Sequence, residues 1–345
     1  HRPPGELSLD EVARRRELVH EPLHLRVERA VDAVHLLVQQ HVGTAADGCE
    51  ALVVRSLELL EHGHEVIVLA ARFVGANTVL HLHTGALAAV YARSGGFIRF
   101  LMRLPFRAAS SIIVLGRLWR DWLVDDLGIE GGKIDVVYNG VPIEPVARDF
   151  PARAAAPRKV LFLGLLHEQK GVSDLLAALA LLPRDMPGWQ AVIAGNGDIG
   201  FYEARAQALG LAAEVSFPGW VDQESVRAHL RTSDVLVLPS YNEALPLVIL
   251  EALGAGTPVI STPAGALPEV LSDGETVLFV EAGDPAGLAG ALQTVLGDAA
   301  LRQKLAEAGQ AAFRARFSLP VFIESLFAIY RTRYGVDVTA VATES

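Results

Sequence analysis

From residue 34 to near the end of the chain, short apolar runs alternate with longer stretches in which apolar residues recur at helical spacing. Short runs bounded by turn residues read as strands, and the stretches between them read as crossover helices. The pattern predicts strands at Val34 to Val38, Val66 to Ala70, Thr78 to His83, Ile112 to Leu115, Ile134 to Tyr138 and Val160 to Gly164. It predicts others at Gln190 to Ala194, Val215 to Pro218, Val235 to Leu238, Pro258 to Ser261 and Val277 to Val280. Gly171 to Leu182 and Leu245 to Ala255 read as two of the crossover helices. Strand and helix in alternation make βαβ units, hence an α/β fold with parallel sheets. No fixed-period repeat is present.

The alternation breaks once. The stretch from Glu144 has prolines at 145, 151 and 157 and no apolar periodicity, so residues 144–157 read as an interdomain linker. Two Rossmann-like domains are expected around it, at 34–143 and 158–315. Residues 1–33 form an unassigned N-terminal extension and 335–345 a tail. In open parallel sheets ligands bind beyond the carboxyl ends of the strands, so two such domains facing each other make an interdomain cleft.

Composition narrows the function classes. The 345 residues are 51% apolar and 20% charged, which is globular composition with room for about two domains. Thirty Lys and Arg against forty Asp and Glu give a net charge of −10, which argues against a nucleic-acid partner. Cys49 is the only cysteine, so no internal disulfide framework or Cys-rich zinc module exists, and a cytoplasmic setting is the expectation. The greasiest stretch, Ala244 to Ile260, contains Glu251 and falls short of a membrane-spanning helix. The N-terminus starts at His1, alternates charges and has no apolar core of a signal peptide.

Candidate chemistry concentrates after the linker. Pro239-Ser-Tyr-Asn-Glu243-Ala-Leu-Pro-Leu-Val-Ile-Leu-Glu251 places one acid at a helix entrance and a second eight residues on, a little over two turns later, so both are expected on one side of the helix. The plain alternative is a helix-terminus charge and a solvated helix residue, although Glu251 sits among Leu, Ile and Ala. Val160-Leu-Phe-Leu-Gly164-Leu165-Leu166-His167-Glu168-Gln169-Lys170-Gly171 ends a strand and opens a helix. Its glycines allow backbone N–H groups near a diphosphate and Lys170 adds a point charge; a Gly turn with a solvated lysine is the alternative. Ala194-Gly195-Asn196-Gly197-Asp198 and Phe217-Pro-Gly219-Trp220-Val221 follow two further strands, and Trp220 reads equally as a base-facing ring or a packed core aromatic.

Before the linker, Val79-Leu80-His81-Leu82-His83 puts two histidines on one strand face. Metal ligation lacks a nearby third ligand; core histidines needing polar partners are the other reading. Phe97 to Arg107 carries Arg99, Arg103 and Arg107 at four-residue spacing with no acid. Such a stripe suits an anionic membrane surface, or is a solvated helix face broken by Pro105.

The stretch from Glu243 to Glu251, followed by Thr262-Pro-Ala-Gly265-Ala-Leu-Pro268-Glu269 and Asp273-Gly274, resembles the E-x7-E signature of retaining glycosyltransferases of family four, which have the GT-B fold. The resemblance spans roughly residues 34 to 334 and is closest from 158 to 290, with wording similar to bacterial exopolysaccharide-type members. Gly164 to Gly171 is similar to the family's G-R-L-x-x-x-K-G segment, with Leu165 in place of the arginine. The resemblance implies Glu243, His83 and Lys170 as catalytic residues, with His81 a structural neighbour. It implies a donor site of Gly48, Gly164, Lys170, Gly195, Gly197, Trp220, Val221, Ala244, Leu245, Pro246, Leu247 and Glu251, the last holding the nucleotide ribose. Val34 to Gly48 and Gly63-His-Glu-Val66 resemble the family's Gly-rich loop and the strand after it, in an abridged first domain. The amphipathic stretch within 316–334 is similar to the helix that crosses back onto the first domain.

The same resemblance implies a nucleotide-sugar donor, a saccharide or lipid-linked acceptor, no cofactor and no metal. The expected place is the cytoplasm, peripheral to the inner membrane face. Two other readings share these residues: a nucleotide-sugar epimerase, and a non-catalytic partner subunit with a degenerate donor site.

Overall fold

The computed structural model describes residues 77–83, 86–148, 150, 157–183, 186 and 188–335, together with the backbone of 51–56. The strands expected at Val34 to Val38 and Val66 to Ala70, and Gly48 with its loop, lie outside the described residues.

The described residues form two parallel sheets. The first contains β1 (Ala51–Ser56), β2 (Asn77–Leu82), β3 (Ser111–Val114) and β4 (Ile134–Val136), in the order β1-β2-β3-β4. Strand β1 is not among the expected strands; its apolar run Ala-Leu-Val-Val lies in a stretch without turn punctuation on its C-terminal side. Helices α1 (Ala86–Arg93), α2 (Gly96–Ala108) and α3 (Arg117–Asp125) connect these strands. All four residues of β3 are buried, as a strand covered on both faces requires.

The second sheet contains β5 (Arg158–Leu163), β6 (Trp189–Ala194), β7 (Val215–Gly219), β8 (Val235–Leu238), β9 (Val259–Ser261) and β10 (Leu278–Phe279). Its order, β10-β9-β8-β5-β6-β7, reverses direction between β5 and β8. That reversal is a topological switch point, where the loops leaving two neighbouring strands diverge and open a crevice. Between the strands run α4 (Val172–Ala180), α5 (Ile199–Ala208), α6 (Gln223–Thr232), α7 (Leu247–Ala255) and the short α8 (Leu267–Val270). Helices α9 (Pro285–Gly297), α10 (Ala299–Arg316) and α11 (Leu319–Tyr334) complete the chain.

Local chemistry sets these boundaries. Asp198, Asp222, Asp284 and Asp298 each accept a backbone N–H at the start of α5, α6, α9 and α10. Helix α7 stops at Gly256, whose φ of +69° suits a residue without Cβ.

Helix α11 lies against the first sheet. Its Tyr334 hydroxyl shares a 2.6 Å hydrogen bond with Ser111, Arg333 pairs with Asp135 at 2.6 Å, and Phe322 stacks 6.5 Å from His81. The segment expected as a linker is anchored where described: Phe150 is fully buried, with the Arg148 and Arg302 guanidiniums 4.8 and 5.5 Å from its ring. Arg148 also donates to the carbonyls of Leu230 and Ser233, so this stretch is fixed to the second domain.

Candidate active site at the switch point

The loops leaving β5 and β8 meet at the switch point. Gly171 packs so closely on the end of β8 that a Cβ there would stand 2.2 Å from the Pro239 carbonyl oxygen, and its φ is +70°. Tyr241 N–H donates to the Gln169 carbonyl at 2.9 Å. This clasp brings Lys170, after β5, to Glu243, after β8: Nζ lies 2.7 Å from Oε1. The lysine side chain stays 30% exposed and the glutamate 9%, so a charge-assisted pair forms at the lip of the crevice.

The neighbouring loops interlock. Gly195 N–H donates to Gly219 O at 2.8 Å, Gly164 N–H to Ala194 O at 3.1 Å and Leu166 N–H to Asn196 O at 2.6 Å. A Cβ at Gly195 would fall 1.7 Å from the Gly164 carbonyl oxygen, and one at Gly197 2.3 Å from that of Leu166. These glycines therefore let three strand ends lie side by side. Large apolar side chains stay exposed on the same loops, Leu165, Trp220 and Tyr241, and at the start of α5, Phe201. Trp220 is 57% exposed, which removes the packed-core alternative for it. Val221 beside it is half-buried.

The two acids sit differently from the helical spacing expected. Helix α7 begins at Leu247, with Pro246 as its N-cap, so Glu243 stands in the loop four residues earlier and the two-turn argument does not apply to it. Proline has no N–H to donate and forces an extended entry, so the helix starts after it. Between the acids, Ala244 and Leu247 are half-buried and Leu245 is buried, and the carbonyls of Ala244 and Leu245 accept from Ala266 N–H (2.9 Å) and Asn139 Nδ2 (3.3 Å). Glu251 is buried within α7, and desolvation pushes its carboxyl up to about 8, with Arg227 on α6 pulling the other way. Burial thus favours the protonated carboxyl, a form that can both donate and accept a hydrogen bond.

In the first domain, His81 is fully buried on β2 and His83 half-buried at that strand's carboxyl end, their ring centroids 4.0 Å apart. Among the described residues no group of three His, Cys, Asp or Glu is placed to hold a metal ion. Helix α2 runs through Pro105 to Ala108 instead of breaking there. Arg99 and Arg103 fold over the Tyr91 ring and donate to the carbonyls of Tyr91, Ala92 and Asp126. The large apolar residues that α2 leaves exposed lie in its first two turns, Phe97, Ile98, Phe100 and Leu101, and Arg107 is exposed at its far end.

Glu269 carries no expected role in the sequence, yet it joins the two domains. Its carboxylate accepts from Arg117 N–H at 3.0 and 2.8 Å and from the Tyr138 hydroxyl at 2.9 Å. The signal that could have pointed to it is Gly116, a helix start with no capping side chain of its own.

Comparison with known proteins places this arrangement. A phosphatidyl-myo-inositol mannosyltransferase from Mycobacterium leprae is 36% identical over 225 residues, covering 64% of this chain and 58% of that protein. The chain thus spans little more than half the length of this curated relative. Among solved structures, sucrose-phosphate synthase from Thermosynechococcus elongatus superposes with a TM-score of 0.68 at 23% identity, over 87% of this chain and 77% of the other. HepE from Anabaena, solved in complex with UDP, gives 0.68 at 21% identity, over 87% and 82%. Both neighbours have the GT-B fold, and so does this chain. Residues 145–312 match the family described as glycosyl transferases group 1. The switch-point crevice lies inside that matched segment, so the part of the chain that carries the Lys170–Glu243 pair is the part similar to the glycosyl transferases group 1 family.

Proposed function

We propose that this chain moves a sugar from a nucleotide-sugar donor to a hydroxyl acceptor, with retention of configuration at the transferred carbon. The observation that carries this reading is the Lys170–Glu243 pair held at the switch point of a group 1 domain. Such a pair offers a cation for the departing diphosphate and a carboxylate for the sugar, side by side. In the donor complex Lys170 leaves Glu243 for the diphosphate oxygens. Charge developing on the leaving group is then met by a fixed ammonium, and the positive character of the sugar by the Glu243 carboxylate. His83, at the carboxyl end of β2, faces the reacting sugar from the first domain. Neutral Glu251 hydrogen-bonds the ribose hydroxyls, and the exposed Trp220 ring covers the base. Lys170 supplies positive charge of the kind a divalent cation would bring, so the transfer runs without metal or cofactor.

The acceptor is a saccharide or lipid-linked saccharide. Residues 86–120 contain six arginines and no acid, in a chain of net charge −10. With the exposed apolar residues in the first two turns of α2, this favours an anionic membrane surface as the place where the acceptor is met. The relative from Mycobacterium leprae, a mannosyltransferase of phosphatidyl-myo-inositol by name, supports a lipid-bearing acceptor. Incubating the chain with UDP-, GDP- and ADP-sugars and a bacterial lipid extract tests the reading. Nucleoside diphosphate released only when lipid is present supports it. Interconversion of the donor sugar without lipid would instead establish an epimerase.

A further inference from the structure

Helix α3, the first-domain helix that begins at Arg117, has nine residues and lacks a cap of its own, because Gly116 offers no side chain. The missing acceptor arrives from the other domain. Glu269, on α8 and 152 residues away, takes the Arg117 N–H on both carboxylate oxygens. A carboxylate at that end also meets the favourable pole of the helix dipole. Tyr138, after β4, donates to the same carboxylate at 2.9 Å, and burial together with Glu269 raises its phenol above the ordinary value, keeping it a donor. The approach has no slack: a Cβ on Gly116 would stand 2.6 Å from the Cβ of Ala266. Since φ at Gly116 is 179°, an ordinary extended angle, closeness and not backbone strain is what calls for glycine there.

The other end of this contact reaches the donor loop. Ala266 N–H donates to the Ala244 carbonyl, and a Cβ on Gly265 (φ +59°) would lie 2.3 Å from the Glu243 carbonyl oxygen. Glu243 in turn holds Lys170. We propose that Glu269 is a positioning residue, an interdomain latch that caps α3 in the first domain and thereby sets the loop carrying Glu243 in the second. Its bearing on catalysis rests on the donor-site reading of Glu243; the latch itself is a matter of structure and is tested without turnover.

Hydrogen exchange followed by mass spectrometry, on the full chain, reads both ends at once. Glu269→Ala is expected to speed exchange at 117–120 about fivefold or more, the loss of a cap, and to speed exchange at 241–247 as well. Glu269→Gln, which keeps one acceptor oxygen, recovers part of the protection at both. Gly116→Ser gives α3 a cap of its own while its Cβ displaces α8, so 117–120 stays protected and 241–247 loosens. Faster exchange confined to 117–120 in Glu269→Ala, or unchanged exchange at both ends, overturns the latch. So does Gly116→Ser with 241–247 as protected as in the parent. Melting curves of each variant exclude global unfolding. Where transfer is measurable, Glu269→Ala lowers kcat and leaves the donor KM within about threefold; an equal loss through KM alone would overturn the positioning role. Absence of transfer in the parent counts against the function and leaves the exchange result to decide the latch.

Discussion

The two sheets are built alike, from parallel strands joined by helices, but what they present differs. Beyond the carboxyl ends of the second sheet the loops are locked to one another by glycine contacts and end in a cation–carboxylate pair. In the first domain, loop chemistry is sparse among the described residues, and what stands out is a basic, apolar surface at α2 with two arginines pinned to carbonyls. On the proposed function the second domain takes the anion and the sugar of the donor, while the first offers a surface for the acceptor side. The proposal thus divides donor chemistry and acceptor location between them. That proposed division is in keeping with a family match over residues 145–312. A diphosphate demands the same groups in the same places wherever it is bound, whereas a surface tolerates many sequences.

Substitutions break this division in a definite order. The largest effect is expected for Glu243→Ala, with turnover down about 100- to 1,000-fold and nucleotide affinity within about threefold, checked by kinetics and calorimetry side by side. Lys170→Ala removes a charge-assisted contact to the diphosphate and weakens nucleotide binding about 10- to 100-fold. Trp220→Ala costs about 2- to 10-fold in nucleotide affinity, and because the ring is 57% exposed the melting temperature barely moves. On the first domain, Phe97→Ser with Phe100→Ser reduces sedimentation with phosphatidylglycerol vesicles several-fold and leaves nucleotide affinity unchanged. A fall in nucleotide affinity in that double variant would join what the comparison separates.

Glu251 sharpens the same contrast through pH. Its ordinary value is 4.5 and burial lifts it to about 8 in the fold, so between those values the folded chain holds more protons than the unfolded one. Its contribution to stability is then fully present below pH 4.5 and is lost as pH rises through about 8. Glu251→Gln keeps the shape without the titration, so its thermal stability should decline less than the parent's between pH 5 and 8. Equal slopes would show that Glu251 is already ionised in the fold.

Much of the second sheet is legible in the sequence because several of its strands hold an apolar run that a turn residue ends. Val-Leu-Val-Leu before Pro239 is one, and Leu-Phe-Leu before Gly164 is another. Strand β1 is hidden because Arg55-Ser-Leu-Glu-Leu-Leu60 follows its short apolar run with no Gly or Pro before Gly63 to mark an end. The site residues are legible as types at strand ends, but their pairing is not. Lys170 and Glu243 are 73 residues apart, and only the strand order that sets β8 beside β5 makes them neighbours. The sequence pattern starts α7 two residues early because apolar periodicity runs through Pro246, whereas the chain turns helical after it. Glu269 is a further step from view, since a cap given across domains leaves no local pattern beyond an uncapped Gly116.

The central claim is that the Lys170–Glu243 crevice receives the diphosphate of a nucleotide-sugar donor. Titration calorimetry of the chain with UDP, GDP and ADP, repeated on Lys170→Ala, tests it most directly. The account predicts that one base is selected over the other two and that binding falls at least about tenfold in the variant. Equal affinity in parent and variant, or no binding of any of the three, would contradict it.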